Sequence, residues 1–146
     1  MAVHIVRLGT PRLEDEGLRI GTVRRPPRGV PREQFAAQNW YDLWYPNLSP
    51  TAETVEMGRS AQTDAQRRAF QRRYRKEMNA QDARRSIELL AAFSHQTSFS
   101  VGCYCEDESR CHRSVLRELL MEAGATIGAV GEAPVGGSVS LAFDRR

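Results

Sequence analysis

The amino-acid sequence predicts an α/β fold, with a small, largely parallel sheet and helices packed on its faces. Strand-like and helix-like stretches are mixed along the chain, as in α/β proteins. A clear strand–turn–helix unit lies late in the chain, in FSVGCYCEDESRCHRSVLRELL. With 146 residues and 40% hydrophobic content, the chain is long enough for one domain with a buried core.

The first part of the chain contains two predicted strands. VHIVRL (3–8) and LRIGTV (18–23) are short and apolar, and the loop GTPRLEDEG separates them. RRPPRGVPR (24–32) follows the second strand, and its prolines can neither donate to a ladder nor continue a helix. We therefore expect an ordered loop at 24–32.

Two helices are predicted in the middle of the chain. LSPTAETV (48–55) resembles a helix start, with Ser49 as the N-cap and Pro50 at the first helical position. A longer helix is predicted from 64 to about 79. Aromatic or apolar residues recur there every four positions and would form one buried face: Phe70, Tyr74 and Met78.

The last elements alternate helix, strand and helix. The pattern predicts a helix over about 82–95, a strand at FSVGCYC (99–105) and a helix at 112–124 that Gly124 ends. The single α/β domain is expected to span 1–125. The remaining glycine-rich tail, 126–146, includes VSLAF as a candidate edge strand.

The composition predicts a cytoplasmic protein that does not contact membranes. No apolar run approaches the roughly 20 residues of a membrane helix, and the N-terminus lacks the features of a secretory signal. Three cysteines are an odd number and few for a disulfide framework, so we expect thiols that are free or bound to metal. The formal net charge of +3 does not by itself indicate a nucleic-acid partner.

The segment CYCEDESRCHR contains all three cysteines, and it allows four interpretations. A zinc site would use Cys103, Cys105, Cys111 and His112. However, Cys-x-Cys is not the usual zinc knuckle, and the adjacent side chains of Cys111 and His112 diverge unless the helix start bends. A reactive thiolate at Cys111 is the second interpretation, since a helix N-terminus and neighbouring cations lower a thiol pKa.

The third interpretation is an anion site. Amide groups at the start of the last helix, together with His112, Arg113, Arg24 and Arg28, would hold a phosphate. Ligands of parallel sheets bind at the carboxyl ends of strands, and both loops are predicted to lie at that edge. In the fourth interpretation the cysteines simply fill a buried strand as small hydrophobes.

The order and spacing of four segments resemble those of the domain of unknown function 488 family, which includes the YeaO-like proteins. The segments are DEGLRIGTVRRPPRG, WYPNLSP, FQRRYRKEM and CYCEDESRCHRSVL, and the resemblance covers roughly residues 3–124. It implies a compact α/β fold but no established reaction. It also moves the emphasis from the cysteines to His112 and the arginines.

Our preferred interpretation is a pocket for a phosphorylated small molecule or nucleotide. If the protein is an enzyme, His112 is the candidate general acid or base, Cys111 an optional nucleophile, and Arg113 completes the catalytic set. No cofactor and no metal are predicted. The alternatives are a nucleic-acid-binding module that uses the basic helix 67–76, or a scaffold without activity. The predicted anion-binding residues are Arg24, Arg28 and Arg113.

Overall fold

The computed structural model describes residues 1–131, and within them it has one five-stranded, fully parallel sheet. The strand order is β3-β2-β4-β1-β5, which confirms the predicted α/β fold with a parallel sheet. The strands are β1 (Val3–Arg7), β2 (Leu18–Gly21), β3 (Leu43–Trp44), β4 (Phe99–Cys103) and β5 (Ile127–Gly131).

The three central strands begin in register. Val3 of β1 and Leu18 of β2 both pair with Phe99 of β4. Because the strands are parallel, the loops that follow them all leave from the same edge of the sheet. We call this the carboxyl edge.

Four α-helices accompany the strands in the described part of the chain. They are α1 (Ala52–Ser60), α2 (Asp64–Met78), α3 (Gln81–Phe93) and α4 (His112–Glu122). Helix α2 begins with a capping box, in which Thr63 and Gln66 satisfy each other's backbone N–H groups. None of the described helices combines the length and apolar character needed to cross a bilayer.

The predicted start of the first helix is wrong. Ser49 does not cap it; its hydroxyl donates to the carbonyl of Pro46 and closes a short 3₁₀ turn at Pro46–Leu48. The helix begins at Ala52, and its N-cap is Thr51, whose hydroxyl accepts from the N–H of Thr54. The capping preference of serine was therefore satisfied by a different turn.

The main core joins the sheet to α2, α3 and α4. The predicted buried face of α2 is confirmed, since Phe70, Tyr74 and Met78 are all buried. A second buried cluster lies around the carboxyl ends of the strands and includes both Cys103 and Cys111.

The chain continues past α4 into an edge strand. Gly124 follows the helix with a φ of 95°, the left-handed conformation that favours glycine. Strand β5 then pairs in parallel with β1, in the first part of the stretch that we assigned to the tail. VSLAF lies outside the described residues.

Candidate functional site

The connection from β4 to α4 forms the centre of the candidate site. It leaves the carboxyl edge at Cys103, forms a 3₁₀ turn at Glu108–Arg110, and enters α4 at His112. Asp107 caps the 3₁₀ turn, because its carboxylate accepts from both the N–H and the hydroxyl of Ser109, at 3.0 and 2.6 Å. These hydrogen bonds lower the pKa of Asp107.

Of the three cysteines that we expected to be free or metal-bound thiols, the structure leaves only Cys105 as a free thiol. Cys103 and Cys111 are both 2% exposed, and the structure pairs them as a disulfide. Strand β4 ends at Cys103, so the side chains that follow no longer alternate between the two faces of the sheet. Cys105 is therefore exposed and does not lie beside Cys103. The loop then brings Cys111 back to the carboxyl end of β4, next to Cys103.

His112 is buried beside this pair, with 7% of its surface exposed. Its Nε2 donates to the carbonyl of Thr22 at 2.8 Å, which joins the loop after β2 to the start of α4. Its ring packs edge-on against Tyr74, with 5.2 Å between the ring centroids. Burial lowers the pKa of His112 to about 4, so the imidazole is neutral at neutral pH.

Arg113 is fully buried and supports the same loop. Its Nη2 donates to the carbonyl of Cys105 at 2.6 Å. Arg24 and Arg28, in contrast, are exposed. The structure therefore does not place the four predicted phosphate-binding residues on one open surface, because His112 and Arg113 are inside the protein.

An arginine cleft opens elsewhere along the β4–α4 loop. It has a volume of about 240 Å³ and lies between that loop and helices α1 and α2. Three arginines from three elements line it; Arg67 was predicted only as part of the basic helix 67–76, and Arg59 and Arg110 were not predicted as site residues. Its polar walls are Arg59, Arg67, Gln71, Arg110, Cys105, Asp107 and Ser109.

The existing ion pairs of these arginines are weak. Arg59 lies 3.3 Å from Glu56, and Arg67 lies 3.3 Å from Asp64, in pairs whose carboxylates are well exposed to solvent. Surface pairs of this kind contribute at most about 1 kcal/mol. An anion in the cleft can therefore compete for both guanidinium groups.

The basic helix α2 is partly neutralised by its neighbours. Arg75 lies 2.9 Å from Glu118 and 2.7 Å from Glu122, so it links α2 to α4. Arg73 lies 3.2 Å from Glu53 of α1. These contacts reduce the positive charge that the helix offers to a nucleic-acid backbone.

Sequence reasoning missed the cleft because no local motif marks it. Arg59 and Arg67 belong to different helices, and Arg110 follows some 40 residues later. One available signal was the short connection between α1 and α2, which predicts an antiparallel hairpin whose facing residues line a groove.

Comparison with known families identifies a matching family model. The family model DUF488-N3a, described as the active DUF488-N3 subclade, matches residues 3–124. The chain belongs to the DUF488 family. This confirms the resemblance that the four sequence segments indicated. No curated protein and no solved structure matches this DUF488 protein.

Proposed function

We propose that this DUF488 protein binds a phosphorylated small molecule or nucleotide in the arginine cleft and acts on it as an enzyme. The convergence of Arg59, Arg67 and Arg110 carries the proposal. Three guanidinium groups against the single carboxylate of Asp107 leave the polar walls with a formal charge of +2. Guanidinium groups bind phosphate oxygens through paired, charge-assisted hydrogen bonds.

The size of the cleft limits what it can enclose. Its volume of about 240 Å³ is below the roughly 300–1,000 Å³ of sites that enclose a drug-sized ligand. The cleft therefore suits a phosphate or diphosphate group, with the rest of a larger ligand lying along the surface.

Two observations support an enzymatic role. The matching family model is described as an active subclade. The cleft also contains a group that can react, since the exposed thiol of Cys105 lines it together with Ser109 and Asp107. Cys105 is a more accessible nucleophile than Cys111, which is buried and paired.

Binding of pyrophosphate and ADP, measured by isothermal titration calorimetry, tests the proposal. Arg110→Gln should weaken binding roughly tenfold or more, because a hydrogen bond to a charged group contributes about 1.5–3 kcal/mol. Arg84→Gln is the matched control, since Arg84 is also exposed but belongs to α3, outside the cleft. It should change affinity less than about twofold.

Other outcomes identify the competing hypotheses. Equal losses in the two variants would show that the ligand responds to net charge and not to the cleft. A loss confined to Arg28→Gln would favour the loop after β2. Duplex DNA binding that falls steeply with salt and depends on Arg68 and Arg72 would favour a nucleic-acid interface on α2.

A further inference from the structure

We propose that Cys103, Cys111 and His112 form a site for a thiophilic divalent metal ion, with Zn²⁺ as the expected occupant, when the two cysteines are reduced. One ligand atom from each residue lies within 4.8 Å of the others, and all three residues are buried. The ion and the disulfide are alternatives, because each uses the same two sulfur atoms.

The backbone removes the objection raised by the adjacency of Cys111 and His112. Cys111 is the N-cap of α4 and has extended dihedral angles, with φ −114° and ψ 157°, whereas His112 is the first helical residue. The chain therefore changes conformation between the two residues. As a result, Nδ1 of His112 lies only 3.6 Å from Sγ of Cys111.

The spacing of the two cysteines also fits a shared ion. Their Cα atoms are 7.8 Å apart, beyond the roughly 4.4–6.8 Å that disulfides span. In a tetrahedral site with Zn–S bonds of about 2.3 Å, two sulfur atoms are about 3.8 Å apart, roughly 1.7 Å more than in a disulfide. The wide Cα separation therefore leaves more room between the two sulfur atoms than a disulfide needs.

His112 is oriented as a metal ligand. Its Nε2 donates to the carbonyl of Thr22, so in the neutral imidazole Nδ1 carries a lone pair and faces Cys111. The hydroxyl of Thr22 donates to the carbonyl of Gly102 at 3.0 Å, which fixes this partner on β4. Metal-bound histidines generally donate their other N–H to such a fixed acceptor.

The ion and its three ligands together carry no net charge. Binding converts two thiols to thiolates and releases two protons, so two negative sulfur atoms, a neutral imidazole and a divalent cation sum to zero. A neutral complex avoids the cost of burying a net charge. Thiolate ligands favour Zn²⁺ over Mg²⁺ or Ca²⁺, and three protein ligands leave a position for water.

Metal titration of the full-length protein tests this inference. The protein is reduced with a phosphine, stripped with EDTA, and titrated with Zn²⁺ or with Co²⁺, whose thiolate charge-transfer band reports sulfur ligation. We expect one ion per chain. Loss of a ligand's hydrogen-bonding partner typically weakens metal binding 10- to 100-fold. Cys103→Ser removes a ligand itself, so it should weaken binding by more than that. It should also weaken the Co²⁺ charge-transfer band.

Cys105→Ser is the matched control, because Cys105 is exposed and is not one of the three ligands. It should retain the stoichiometry, the affinity and the Co²⁺ band of the unmodified protein. Circular dichroism establishes that each variant is folded, and His112→Gln provides a second ligand variant. Failure of the oxidised protein to bind the ion would support the shared use of the two sulfur atoms.

Two results would overturn the inference. One is a reduced, folded protein that binds no stoichiometric ion. The other is an equal loss of binding in Cys105→Ser and Cys103→Ser. Neither depends on the arginine cleft, since Arg110→Gln should leave metal binding unchanged.

Discussion

Replacing Glu16 by glutamine should remove about 3–5 kcal/mol from the free energy of unfolding. Glu16 and Arg19 form an ion pair in which both side chains are almost completely buried. The carboxylate of Glu16 accepts from Arg19 Nε at 2.5 Å and Nη2 at 2.8 Å, from the hydroxyl of Ser100 at 2.5 Å and from the N–H of Leu13 at 3.0 Å. Glutamine keeps the shape but removes the charged partner that is hydrogen-bonded to the buried guanidinium.

The effect should be large because Arg19 also organises two loops. Its Nη1 donates to the carbonyls of Thr10 and Asn39, at 2.9 and 2.7 Å. A guanidinium that moves to find solvent would break these hydrogen bonds as well. The expected loss is a substantial part of the roughly 5–15 kcal/mol that stabilises a typical domain.

Urea denaturation measures the change. At a slope of about 2 kcal/mol/M, the midpoint should fall by roughly 1.5–2.5 M while the slope stays unchanged, since a stability change alone alters the midpoint and not the slope. Glu88→Gln is the matched control, because Glu88 pairs with Arg85 at 2.8 Å on the surface, where the two side chains are 49% and 65% exposed. It should cost less than about 1 kcal/mol. Equal losses in the two variants would refute the argument from burial.

Two further predictions concern the same region. Burial by itself raises the pKa of Glu16, but the hydrogen bonds from Arg19 and Ser100 outweigh it and hold that pKa below its usual value. The stability that Glu16 contributes is therefore present above its unfolded-state pKa of about 4.3 and is lost as the pH falls through the lower folded-state pKa, so Glu16→Gln should show a shallower acid dependence of the urea midpoint. Gly17→Ala should destabilise the fold by more than about 2 kcal/mol, because Gly17 has a φ of 75° and an added Cβ would overlap the carbonyl of Ser98. Gly29→Ala, at a φ of 74° with open space around it, should cost only about 1 kcal/mol in the same urea assay, and equal losses would contradict the steric argument.

Periodic elements were predictable because their signals are local. The four-residue spacing of Phe70, Tyr74 and Met78 requires no knowledge of the partner surface, and it identified the buried face of α2. The start of α1 was not predictable in the same way. Ser49 and Thr51 are both good N-caps, and the preceding 3₁₀ turn determined which of them caps the helix.

The site was only partly predictable. The parallel topology correctly brought the loop after β2 to the start of α4, where Thr22 contacts His112. The sequence did not show how deeply these side chains are buried, because a histidine or arginine near a helix start occurs both inside proteins and on their surfaces. His112 and Arg113 are buried against Tyr74 and the backbone of the β4–α4 loop, so they support the loop from within.

The sequence by itself determined the fold class, the family and the carboxyl-edge position of the CYCEDESRCHR segment. These depend on short-range periodicity and on the order of motifs along the chain. The tertiary structure alone decided which side chains meet there. Pairing Cys103 with Cys111 and collecting three distant arginines around one cleft both depend on how α1, α2 and the β4–α4 loop pack, and packing is a property of surfaces that lie far apart in sequence.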